Sequence, residues 1–257
     1  MTAASWRLQS GHGVRLEWGP EGARRLGPEV AGLVVVDVLS FTTAVSVAVE
    51  GGTRVHPYAW RDASAREYAD RLGARLAVGR REVTAEQPWS LSPAALRRAP
   101  HTGQLVLPSP NGSAIAAAAG EGSTLIAGCL RNAAAVGTWL ARQGYGTPER
   151  PVAVVPAGER WPDGSLRPAL EDLLGAGAVA AALCARAPWA TPSPEAGAAA
   201  ALWTATPDPA AAVAACASGR ELAEGGFPED VAVATEIDAS DAVPLLSGGA
   251  FGIADRN

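Results

Sequence analysis

The chain has 257 residues, a net charge of -5, and 21 basic residues that are all arginine. Without lysine there is no Schiff-base lysine, no phosphate-loop lysine of the Walker type and no kinase-type lysine. The charge balance offers no basic surface for nucleic acid, and no apolar run approaches the ~20 residues of a membrane span.

In chain order, Leu33 to Val36 is a continuous apolar run, as expected of a strand buried on both faces. Asp37 follows it, then a predicted helix from Thr42 to Glu50. Arg54 to Pro57 reads as a strand and Asp62 to Leu72 as a helix, with Ala65, Tyr68, Ala69 and Leu72 on one face. Arg75 to Val78 reads as a short strand. Residues 79–103 read as loop, broken by a short helix from Pro93 to Arg98. Gln104 to Leu107 is a predicted strand that turns through Asn111-Gly112 into an Ala-rich helix, Ser113 to Ala119. Thr124 to Ala127 is a strand, and Asn132 to Arg142 a helix capped by Asn132. Val152 to Val155 is a strand, and Glu171 to Arg186 a helix with acidic residues in its first turn. Residues 187–209 read as a surface helix between loops, and Ser218 to Glu224 as a short helix capped by Ser218. Val231 to Thr235 reads as a strand, and the tail from Val243 to Ile253 as an edge segment. Alternation of this kind predicts one α/β domain over residues 1–257: three layers, α/β/α, around a mostly parallel or mixed sheet.

Ligands in open α/β sheets bind at the carboxyl ends of strands. The residues that follow four of the strands are therefore the candidates. They are Asp37 with Ser40, Thr42 and Thr43; Asn111, Gly112 and Ser113; Arg131 and Asn132; and Glu159. Gly112 lets backbone approach a ligand at a helix N-terminus. Arg131 suits bidentate contact to phosphate or carboxylate. Asp37, Glu159 and the pair Glu171-Asp172 are hard oxygen ligands suited to magnesium. Other chemistries fail on composition. Six residues after Cys129, Cys184 and Cys216 stand Ala135, Ala190 and Leu222, not the arginine of a cysteine phosphatase. Only His12, His56 and His101 exist, and no Gly-x-Ser-x-Gly elbow occurs. The scattered, odd-numbered cysteines and the lack of an apolar leader fit a reducing cytoplasm. The eight tryptophans are expected to pack the core and the contacts of a homo-oligomer.

Five stretches carry a resemblance: Asp37-Val38-Leu39-Ser40-Phe41-Thr42-Thr43, Asn111-Gly112-Ser113, Leu130-Arg131-Asn132-Ala133, Ala157-Gly158-Glu159 and Glu171 to Gly177. In this order, with Ser218 to Leu222, Asp230 and Val243-Pro244 later, they resemble the 2-phosphosulfolactate phosphatases of coenzyme M biosynthesis over roughly residues 30–245. The resemblance implies magnesium-dependent hydrolysis of 2-phospho-3-sulfolactate, a small phosphorylated anion, to sulfolactate and phosphate. It implies Asp37, Glu159 and Asp172 as metal or water-activating residues, and Asn111, Arg131, Asn132 and Arg220 as contacts for the substrate anion. That family commonly reads Asp-Val-Leu-Arg-Ala-Thr-Thr, so Ser40-Phe41 stands here in place of Arg-Ala. With no lysine to supply the missing charge, the arginines must hold a multiply charged substrate, and Arg131 leads them. A metal-dependent lyase or transferase on a phosphorylated acid, and a non-catalytic anion binder, are the alternatives.

Overall fold

The computed structural model describes residues 4–59, 62–118 and 122–254. Its main sheet has nine strands: β1 (Val14–Leu16), β2 (Gly32–Val36), β3 (Arg54–Tyr58), β4 (Arg75–Leu76), β5 (Gln104–Pro108), β6 (Thr124–Gly128), β7 (Val152–Pro156), β10 (Pro244–Ser247) and β11 (Ala250–Ile253). Two short strands, β8 (Glu159–Arg160) and β9 (Leu166–Arg167), form a separate ribbon. The helices are α1 (Ala4–Arg7), α2 (Gly19–Leu26), α3 (Phe41–Glu50), α4 (Ala63–Leu72), α5 (Pro93–Arg98), α6 (Gly112–Ala118), α7 (Ala133–Arg142) and α8 (Leu170–Arg186), followed by α9 (Pro194–Ala205), α10 (Pro209–Ala215), α11 (Ala217–Glu224) and α12 (Pro228–Ala234).

Strand β2 shows why the sheet has two cores. Its side chains alternate sides, as the pleat requires. Leu33 and Val35 pack with Phe41, Ala44 and Val45 of α3 on one face. Val34 and Val36 pack with Val179 and Leu183 of α8 on the other. Both faces are dry, so the run is apolar throughout. The layers are those of an α/β/α fold, as expected.

The sheet order is β1-β7-β2-β6-β10-β11-β3-β5-β4. The first four strands run parallel to one another, and so do the last three. The hairpin β10–β11 joins them by antiparallel pairing on both sides. The predicted edge segment is therefore the centre of the sheet. Its signal was Gly248-Gly249, both at positive φ, the dipeptide of a two-residue hairpin turn. Phe251 of this hairpin meets the Phe41 ring edge-on, 6.3 Å between centroids.

Further expectations are corrected. Residues 231–235 lie mostly in α12, not in a strand; Pro228 at the first position, with Glu229 and Asp230 in the first turn, starts a helix despite the β-branched alternation. Helix α11 is capped by Cys216, not Ser218, and Asn132 makes no side-chain cap on α7. Strand β1 and helix α2 were not foreseen, and Ala119 lies outside the described residues. The tryptophans are not the large pieces of the core: Trp89 is buried, but Trp6, Trp161 and Trp189 are exposed. No helix among the described residues is long and apolar enough to cross a membrane.

Candidate active site

Asp37 ends β2 and is buried. Its Oδ1 accepts from the Phe41 amide and its Oδ2 from the Gly112 amide, each at 3.0 Å. The loop that carries it is locked by its threonines. Thr42 Oγ1 donates to the Asp37 carbonyl and accepts from the Asp37 amide, while Thr43 Oγ1 donates to the Val38 carbonyl. Gly112 must be glycine, because a Cβ there would overlap the Phe41 ring. The carboxylate thus joins the first turns of α3 and α6.

Asp172 plays a different part. Its Oδ1 accepts from the Val38 amide at 2.7 Å and its Oδ2 from the Gly158 amide at 2.8 Å. Both oxygens are committed to holding the loops after β2 and β7 together. Burial, then the nearby charges of Glu171 and Asp37, pushes its carboxyl well above the usual range. Like Asp37, Asp172 accepts one backbone amide on each oxygen, so both carboxylates tie loops together.

Glu159 follows β7 beside Asp37. Asn111 Nδ2 donates to its Oε2 at 3.0 Å. Burial, with the charges of Asp37 and Glu171, pushes Glu159 up to about 7. Burial also raises Asp37 to about 6, against the pull of its two amide donors. Glu171 is buried as well and accepts from the Cys216 thiol at 3.1 Å.

Asp37, Ser40, Asn111 and Glu159 line one cleft of about 450 Å³ with Arg80. Arg80 was not among the expected site residues. It projects from the turn after β4, and its Nη2 donates to Ser40 Oγ at 2.6 Å. Its Nε donates to Asp230 Oδ2 at 2.8 Å. A guanidinium therefore stands at Ser40 although the local motif lacks one. The sequence carries a signal for it: Gly79-Arg80-Arg81 also follows a predicted strand, Arg75 to Val78.

The other expected anion contacts are not brought to this cleft. Arg131 is buried at the far end of α3, where its Nη2 bonds Glu50 at 2.9 Å and its Nη1 bonds Glu236. Ten helical residues at ~1.5 Å each separate that cluster from Ser40. Asn132 is consumed locally: its Oδ1 accepts from the Cys129 amide and its Nδ2 donates to the Ala127 and Ala242 carbonyls. Arg220 is exposed on α11, and its side chain makes no hydrogen bond among the described residues. The Gly112 amide serves Asp37, and Ser113 is buried with its hydroxyl turned to the Leu107 carbonyl. Of these three residues, Asn111 is the one that lines the cleft.

A carboxylate pair with raised proton affinity that lines a cleft together with an arginine, in an α/β/α fold, suits an enzyme acting on an anion. The class is sharper than that: the chain is a phosphatase, hydrolysing a phosphate monoester, because the family model of 2-phosphosulpholactate phosphatase matches residues 23–249. The chain belongs to that family, as the five motifs implied. No curated protein matches it.

Proposed function

We propose that this phosphatase acts with magnesium on the phosphate monoester of a 2-hydroxy acid, 2-phospho-3-sulfolactate being the substrate the family points to. The observation that supports this most is the pair Asp37 and Glu159 at one end of the cleft. Each is buried enough to hold its proton near neutrality, and each is anchored by a named donor.

Among the described residues no cluster of three or more His, Cys, Asp and Glu side chains is spaced to hold a metal ion by protein ligands alone. The site fits an ion that needs less. Magnesium uses one or two carboxylates and completes its shell with water and substrate oxygens. Burial and the neighbouring charge of Glu171 make buried Asp37 and half-buried Glu159 costly to ionise, and a cation would relieve that cost. Asp37 would hold the ion, because its amide anchors fix it while each oxygen keeps a second lone pair. When bound, magnesium would withdraw charge from the phosphoryl oxygens.

The chain's own groups do the rest. Glu159 is the stronger base, and Asn111 fixes its orientation. It takes a proton from the attacking water. The water oxygen adds to phosphorus, the bond from phosphorus to the ester oxygen breaks, and the proton is returned to the departing alkoxide or to solvent. Asp172 keeps the two loops in register so that Asp37 and Glu159 face one space. The three cysteines are free thiols, which suits a reducing cytoplasm.

The test is phosphate release from 2-phospholactate and 2-phospho-3-sulfolactate with magnesium and with chelator. Turnover that chelator abolishes upholds the reading. Absence of release from any 2-hydroxy acid phosphate sinks it.

A further inference from the structure

We propose that Arg80 binds the acid group of the substrate, the carboxylate or sulfonate that is not hydrolysed, and so sets the preference for acid-bearing phosphate esters over neutral ones. The proposal rests on the phosphatase reading of the cleft. It names the residue that takes the second charge.

Arg80 is built into its place. Asp230, its ion-pair partner, is almost wholly buried and also accepts from Ser92 Oγ and the Ala94 amide. The Phe227 ring lies under the guanidinium, 5.8 Å from its carbon to the ring centroid. Ser40 holds Nη2 from the opposite side. The fork is therefore pre-organised to meet two oxygens of one acid group. Its Nη1 makes no hydrogen bond among the described residues, and the side chain is 19% exposed, on the cleft. Arg80 is the one cationic side chain among the described residues that line this cleft.

Position separates its role from that of the hydrolytic groups. No hydrogen bond joins Arg80 to Asp37 or Glu159 among the described residues; Ser40 stands between Arg80 and the Asp37 loop. A 2-phospho acid carries two anions on adjacent carbons. Its phosphoryl group belongs with Asp37 and Glu159, where water can be activated. Its acid group then meets the guanidinium, which lines the same cleft and is near enough for its charge to act on Asp37. A serine at position 40 is short enough to let Arg80 reach this spot from a turn 40 residues away in sequence.

The experiment compares two esters, 2-phospholactate and isopropyl phosphate, which differ by the acid group. Removing Arg80 alone would strand buried Asp230, so the neutral pair is changed together as Arg80→Gln with Asp230→Asn. Arg80→Lys keeps a charge but loses the fork. The ratio of kcat/KM for the acid-bearing over the acid-free ester is expected to fall on the order of 100-fold in the double variant, and less in Arg80→Lys. Equal losses on both esters, or no loss on either, overturn the proposal. Calorimetry with lactate and 3-sulfolactate, which carry no phosphate, separates this inference from the parent reading. If wild-type protein releases no phosphate but binds these acids in an Arg80-dependent way, the phosphatase reading falls and the role of Arg80 stands. If phosphate is released while acid binding is absent or indifferent to Arg80, the reverse holds.

Discussion

Helix α3 has a cluster of charged side chains at each end, and the two clusters are balanced differently. At the C-terminal end, Glu50 and Glu236 meet Arg131 and Arg97. Acids and bases match in number, and Glu236 is held below the usual carboxylate range, first by its hydrogen bonds from Arg97. At the N-terminal end, Asp37, Glu159, Glu171 and Asp172 crowd together, while the nearest cleft arginine is already paired with Asp230. Three of these acids are pushed up rather than down. A buried charge answered by the protein is architecture. Acid left unanswered beside a cleft is a place for a ligand to supply the missing charge. The comparison sets Arg131, which is answered by two glutamates, apart from Arg80, which lines the cleft.

The comparison breaks most visibly at Asp37. Asp37→Asn keeps the shape but removes the charge, and phosphate release is expected to fall by on the order of a thousandfold; a variant that turns over normally removes Asp37 from the chemistry. Next comes the base. Glu159→Gln is expected to lower kcat about 100-fold. In the wild type, kcat/KM should rise with pH through an apparent value at or below about 7, since Glu159 acts deprotonated and a bound cation lowers it. The variant should lose that limb.

Arg131→Met tests the other end of α3. It takes the arginine from half-exposed Glu50 and one of two arginines from Glu236, so unfolding free energy is expected to drop by about 2 kcal/mol in denaturant titration, with KM unchanged. A raised KM would put Arg131 back at the substrate. The pH dependence of stability sharpens the same contrast. Asp37 and Glu159 have raised values when folded, so the folded chain binds more protons than the unfolded one between the ordinary carboxylate values (about 4) and about 6 to 7. Their contribution is most favourable below that window and is lost as pH rises through it. The metal-free protein should lose thermal stability across the window, and Glu159→Gln should flatten the loss. The smallest effect is expected at Ser40→Ala, which removes one hydrogen bond to Arg80 and should raise KM about fivefold for acid-bearing esters.

Much of the fold was legible because it is local. The apolar run at 33–36, the Asp62 cap and the acidic first turn of α8 state their structures within a few residues. The Val231 to Thr235 stretch was misread because alternation suggested a strand while Pro228-Glu229-Asp230 was starting a helix. The tail reads in sequence as an edge segment, whereas it is a hairpin at the centre of the sheet. Its partners, Ile126 and Val55, lie far away in the chain.

The sequence by itself determined the alternating strands and helices and the family, and it placed the carboxylates Asp37 and Glu159 just after strand ends. Only the tertiary structure decided what the polar side chains do. Asp37 and Asp172 each accept two backbone amides, one of Asp37's from Gly112, since buried amides and carboxylates must find partners. An arginine reaches far enough that its partners, not its neighbours in sequence, set its role. Arg131 found two glutamates and was closed off, whereas Arg80 found Asp230, 150 residues away, and kept an edge open to the cleft.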